Sequence, residues 1–127
     1  MARHNQIGKW GEDLACDRLT ELGYAIARRN WHMGHYEIDI IAMRDTRVVF
    51  CEVKTRTTPG VDPLEAVDRR KIARMVASAR AYMLAEGLDR HTAQFDLFAI
   101  VAPDGPEGDY TLEHIPDAFE IPLSTTY

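Results

Sequence analysis

The residues whose types and spacing could do chemistry lie between Tyr36 and Arg56. The stretch reads Tyr36-Glu37-Ile38-Asp39-Ile40-Ile41-Ala42, then Met43-Arg44-Asp45-Thr46, then Arg47-Val48-Val49-Phe50-Cys51-Glu52-Val53-Lys54-Thr55-Arg56. Two β-branched, aromatic runs flank a polar turn, which predicts a β-hairpin. Strand side chains alternate between faces. Glu37, Asp39 and Ile41 therefore share one face, and Ile38, Ile40 and Ala42 take the other. On the second strand Val48, Phe50, Glu52, Lys54 and Arg56 share a face. Acids on otherwise apolar strands are costly unless paired or bound to a metal. If the faces meet, Asp39 lies near Glu52 and Lys54. Two carboxylates and an ammonium at one spot suit a divalent metal and an oriented water, and hard carboxylate oxygens suit Mg²⁺ or Mn²⁺.

Other elements must position these groups. Gly8 to Leu22 reads as an amphipathic helix, with Ile7, Trp10, Leu14, Ala15, Leu19 and Leu22 at helical spacing and Gly23 as its stop. Glu12 shares an edge with Ala15 and Leu19, at the rim of the buried face. The blander reading of Glu12 is a first-turn acid favoured by the helix dipole. Tyr24 to Trp31 predicts a strand, with Arg28 and Arg29 solvated or facing a phosphate. His32-Met33-Gly34-His35 is a turn. After the hairpin, Thr57 to Pro63 is a loop, Leu64-Glu65-Ala66-Val67 a short helical turn, and Asp68 an N-cap. The helix that follows carries an apolar stripe of Ile72, Met75, Val76, Ala79 and Met83. Arg69, Arg70, Lys71, Arg74 and Arg80 surround it with positive charge. Such a run is usually a solvated face; its closeness in sequence to the candidate site leaves phosphate contact open. Gly87 ends the helix. Thr92 to Val101 is a buried strand with Asp96 as its only charge, and Tyr110 to Ile115 an edge strand. The order α-β-β-β-α-β-β predicts a mixed sheet flanked by helices.

The bulk properties bound the function. The chain's 127 residues, 46% of them hydrophobic, suit one globular domain over 1–127. No apolar run approaches a membrane span, and the polar start, Met1 to Gln6, has no signal-peptide core. Cys16 and Cys51 form no CxxC and read as reduced, core-packed thiols of a cytoplasmic protein. The five histidines are scattered, which argues against a zinc site. The net charge of −5 is unlike a nucleic-acid binder, but it is unevenly spread. Residues 1–84 carry 14 basic and 11 acidic side chains, whereas residues 85–127 carry one and nine. A phosphate-binding face needs local positive charge rather than a basic total.

Taken together, the segments resemble a known pattern. They are Gly8-x-x-Gly11-Glu12-x-x-Ala15-x-x-x-Leu19-x-x-x-Gly23-Tyr24; Glu37-Ile38-Asp39-Ile40-Ile41-Ala42; Phe50-x-Glu52-Val53-Lys54-x-Arg56; and Glu65-Ala66-Val67 with Lys71, followed by Phe95-Asp96. This order resembles the PD-(D/E)xK nucleases, type II restriction endonucleases and archaeal Holliday-junction resolvases, and more closely the YraN-like family of small bacterial proteins. The resemblance spans residues 8–101. It implies an α/β restriction-endonuclease-like fold, a mixed β-sheet flanked by α-helices. It also implies a metal-dependent endonuclease acting on DNA. Asp39 and Glu52 would be metal-binding carboxylates, Glu12 would approach the same centre, and Lys54 would orient the attacking water. Arg56, Arg70, Lys71 and Arg74 would face the nucleic-acid backbone. Resolvases of this fold act as dimers, which makes a homodimer the assembly to test, though no dimer face is visible in the sequence. The sequence departs from the family at Tyr36, where Gly is usual, and this bears on the loop geometry and cleft width.

Three readings compete. One is the nuclease, with branched or structured DNA suggested by fold analogy alone. The second is a nucleic-acid-binding module that keeps the fold without turnover. The third is a protein-interaction domain in which Asp39, Glu52 and Lys54 form only a salt-bridged cluster, a poor stabiliser once desolvation is counted.

Overall fold

The antiparallel half of the sheet is set by two tight turns. Gly34-His35, with Gly34 at φ +61°, joins β1 (Ala25–Met33) to β2 (Tyr36–Arg44). Asp45-Thr46, with Asp45 at φ +55°, joins β2 to β3 (Arg47–Arg56). A positive φ at the first turn residue matches the right-handed twist of the flanking strands. The computed structural model describes residues 2–60 and 68–119. The expected helical turn Leu64-Glu65-Ala66-Val67, the last residues of the expected loop before it, 61–63, and the end of the tail, 120–127, lie outside these residues.

Two helices complete the layers. The first, α1 (Ala2–Glu21), precedes β1, and α2 (Arg69–Ala85) carries the chain from β3 to β4 (Thr92–Val101). That crossover makes β3 and β4 parallel, from Arg47–Thr92 to Arg56–Val101. The last strand, β5 (Thr111–Ile115), lies antiparallel on β4, so the order is β1-β2-β3-β4-β5. The architecture is the expected α/β one, a five-stranded mixed sheet flanked by helices.

Each helix covers one face. Ala15, Cys16 and Leu19 of α1 bury against Ile40, Ala42, Val49, Cys51 and Phe98. Met75, Val76, Ala79 and Tyr82 of α2 bury against Ile41, Val48, Phe50 and Phe95 on the other face. Both helices end in Schellman geometry. Tyr24 N bonds to Leu19 O past Gly23 (φ +92°), and Leu88 N bonds to Met83 O past Gly87 (φ +67°). Asp68 caps α2 as expected, its carboxylate accepting from Lys71 N at 2.9 Å.

The structure corrects several boundaries. The first helix starts at Ala2 rather than Gly8. His32 and Met33 pair with Glu37 and Tyr36 inside the sheet, which shrinks the expected four-residue turn to Gly34-His35. Tyr36 is an ordinary strand residue outside the left-handed region, so its backbone does not require glycine there. Arg28 and Arg29 are held by carboxylates of the chain itself: Arg28 by Glu86 at 3.3 Å, Arg29 by Asp13 at 2.6 Å. Among the described residues no helix is long and apolar enough to cross a membrane.

Candidate active site

At Asp39 β2 parts from β3 while staying paired with β1. Arg29 pairs with Ile40 and Trp31 with Ile38, but the register passes over Asn30 and Asp39 between them. Asn30 sits at φ +51° there, a conformation asparagine tolerates better than most residues. On the other side, pairing of β2 with β3 stops at Ile40–Cys51. Alternation slips accordingly: Ile40 faces the α1 side, whereas Ile38 packs with the α2 side. The expectation that Ile38, Ile40 and Ala42 share a face is therefore overturned, because period-2 alternation needs an unbroken ladder. The Asp39 carboxylate fills the gap and accepts from Val53 N at 2.9 Å.

That one hydrogen bond does not offset the burial of Asp39. Desolvation, then the negative charge of Glu52, pushes its pKa up to about 7, against the lowering effect of the Val53 N–H. Glu52 is 11% exposed in its side chain. Its Oε1 lies 2.7 Å from Lys71 Nζ and 3.7 Å from Lys54 Nζ. Lys54 is half-exposed, 47% for its side chain, and so is available to a bound molecule.

Glu12 enters from the other helix. Since α1 begins at Ala2, Glu12 lies in mid-helix, beyond reach of the N-terminal dipole, and the first-turn reading falls. Its Oε1 accepts from Asn30 Nδ2 at 3.0 Å and lies 3.9 Å from Arg29. Gly11 allows this placement. A Cβ at Gly11 would collide with Thr55 Oγ1 and crowd Thr55 Cβ and Ile100 Cδ1, so glycine is what lets α1 approach β3.

These side chains share one cavity of about 410 Å³. Its walls are Glu12 from α1, Asp39, Glu52 and Lys54 from the strands, and Lys71, Arg74 and Ser78 from α2. Glu37 also reaches it, largely exposed and 3.3 Å from His32. Arg56 and Arg70 are exposed and line no part of it. Lys71 touches a candidate metal carboxylate rather than standing free for a nucleic-acid backbone. Among the described residues, no three His, Cys, Asp or Glu side chains are gathered into a metal-holding group. The carboxylates of Glu12, Asp39 and Glu52 line the same cavity, and carboxylate oxygens are the ligand type a hard divalent cation takes, but the Glu52 carboxylate carries the Lys71 ammonium.

Residues 11–100 match the sequence profile of "Uncharacterised protein family UPF0102". A UPF0102 protein of Bacteroides thetaiotaomicron is 44% identical over 124 residues, covering 97% of this chain and 99% of that one. One from Prosthecochloris aestuarii is 41% identical over 119 residues, covering 91% and 94%. One from Nitratidesulfovibrio vulgaris is 38% identical over 121 residues, covering 94% and 87%. The chain belongs to the UPF0102 family. The UPF0102 match takes in Gly11, Glu12, Asp39, Glu52, Lys54, Lys71 and Arg74, and ends at residue 100, part-way through the acidic C-terminal stretch.

Sequence reasoning missed two residues of this UPF0102 site. Asn30 holds Glu12, and its only signal was an asparagine, tolerant of left-handed backbone, inside a strand run. Ser78 is buried, lines the cavity and accepts from Glu37 N at 3.3 Å. It was visible only as a polar residue within the apolar helix stripe.

Proposed function

We propose that this protein is a metal-dependent nuclease that hydrolyses phosphodiester bonds in DNA. The observation that carries the reading is the parting of β2 from β3 at Asp39. It gathers Asp39, Glu52, Lys54 and Glu12 into one cavity with Lys71 and Arg74. Asp39 and Glu52, with Glu12 from α1, would hold the cation. A bound Mg²⁺ or Mn²⁺ would lower the pKa of a water and offset charge on the phosphate.

The remaining roles belong to the chain's own groups. The Lys54 ammonium, loosely paired with Glu52, would hold the attacking water and favour its loss of a proton. Arg74 would meet phosphate oxygens across the cavity, and Lys71 would join it only once parted from Glu52. Asn30 and Arg29 would fix Glu12, and the Val53 N–H would fix Asp39. Branched or structured DNA is a substrate suggested by fold analogy.

A second reading has its own observation. Glu52 is already paired with Lys71, which would suit a module that binds nucleic acid without turnover. A cleavage panel separates the two. Duplex, single strand, flap and four-way junction are incubated with Mg²⁺, Mn²⁺ or EDTA, beside Glu52→Ala and Lys54→Ala. The nuclease gives metal-dependent products that fall at least about 100-fold in both variants, as expected when a group acting in the transition state is removed. Binding of the panel without products favours the module. Neither products nor binding overturns both.

A further inference from the structure

We propose that Lys71 is an internal counter-cation for Glu52, and that a divalent metal must displace it to load the site. The inference rests on the metal-site reading above and concerns how that site is regulated.

Three observations carry it. First, Lys71 Nζ lies 2.7 Å from Glu52 Oε1, whereas Lys54 lies 3.7 Å from the same oxygen. The closer cation comes from α2, not from the strand that carries the Glu-x-Lys pattern. Second, the contact is sheltered: the side chains of Lys71 and Glu52 are 24% and 11% exposed. A partly buried charge left without a partner is costly, so the pair persists until another cation replaces it. Third, the Lys71 backbone is fixed at the helix start, so a change of partner requires only its side chain to move. Asp68 pins Lys71 N in the first turn of α2. The four-carbon stem can then swing from Glu52 into the cavity without moving the helix.

The consequence is an exchange of partners. Without metal, Lys71 neutralises Glu52. A metal held by Glu52 would repel the ammonium, and Lys71 would then be free to turn into the cavity beside Arg74, where a phosphate of the substrate would be met. Metal loading would thus create the positive charge that receives DNA, so the protein would bind nucleic acid weakly until it is loaded.

The test reads metal binding and lysine reactivity rather than turnover. Mn²⁺ is titrated by calorimetry into the full chain, Lys71→Gln and Arg74→Gln at physiological salt. Arg74 lines the same cavity and makes no ion pair among the described residues, so its variant reports the loss of one nearby charge. Lys71→Gln should tighten Mn²⁺ binding about tenfold, and Arg74→Gln about twofold or less. In the unaltered chain, acetylation of Lys71 by a small amine-reactive reagent, followed by mass spectrometry, should speed up when Mn²⁺ is added. Equal Mn²⁺ affinity in all three proteins, with Lys71 reactivity unchanged, overturns the exchange and leaves the metal site standing. No Mn²⁺ binding by any of them overturns the metal site and the exchange with it.

Discussion

Two aspartates on the central strands sit in opposite environments. Asp96 is buried on β4 and fully partnered. It accepts from Gln94 Nε2 at 2.8 Å, from Asp117 N at 3.0 Å, and lies 2.7 Å from His114 Nε2. The His114 ring in turn stacks on Phe98 at 4.2 Å. Asp39 has one backbone N–H and a like charge beside it. Asp96→Ala strands several buried donors and should cost about 3 kcal/mol in urea unfolding, with little effect on metal binding. Asp39 should behave in the opposite way. Its folded pKa, about 7, lies above the ordinary 3.8, so the folded state holds the extra proton between those values. The stability contributed by Asp39 without metal should therefore be fully present below pH 4 and be lost as pH rises to 7. Glu52 and Glu12 act in this direction, and Lys71 opposes them. Asp39→Asn should abolish that part of the slope, measured as the wild-type-minus-variant difference in EDTA. Added Mg²⁺ requires the ionised carboxylate, so its stabilising effect should grow through the same pH range. A difference that does not change with pH would mean that Asp39 is already ionised and neutralised.

At the scale of elements, the site depends on how closely α1 rides on β3. Gly11→Ala should raise helix propensity by about 1 kcal/mol, yet overpacking against Thr55 and Ile100 costs about 1–3 kcal/mol. The net expectation is a protein destabilised by about 1 kcal/mol, with Glu12 displaced and Mn²⁺ affinity reduced. Adding Thr55→Ala removes the closest clash and should restore much of both. Additivity of the two substitutions would show that the helix does not ride on Thr55. The limits of sequence reading are visible in the same elements. The hairpin, the Asp68 cap and the span Thr92–Val101 were legible because each is governed by local rules of alternation, turn chemistry and capping. The left-handed Asn30, the slip in alternation at Asp39 and the ion pair from Lys71 to Glu52 were not. Each arises from contacts between segments far apart in the chain, which no short window of sequence contains. The C-terminal tie was hidden for the same reason. Ala118 N bonds to Phe95 O, and Phe119 stacks on Phe95 at 5.0 Å, although the tail itself has little pattern.

For the whole molecule, the decisive quantity is where the charge lies. A net charge of −5 repels a polyanion at long range, and most of the excess acid follows residue 84. The cavity sets Lys54, Lys71 and Arg74 against Glu12, Glu37, Asp39 and Glu52, and Arg56 and Arg70 are exposed outside its lining. DNA binding should therefore be weak, short-ranged and sensitive to salt. Each phosphate contact adds about 0.9 to the slope of log affinity against log salt concentration for duplex. If Arg56 and Arg70 touch the backbone, Arg56→Gln with Arg70→Gln should lower the slope by about 2 and weaken binding to every sequence equally. Fluorescence anisotropy with a labelled four-way junction, from about 50 to 200 mM salt, measures this directly. An unchanged slope in the double variant would confine the nucleic-acid face to the cavity. A slope near zero in the unaltered chain, with Mn²⁺ bound, would remove nucleic acid as the partner, since no protein neutralises phosphates without releasing their counterions.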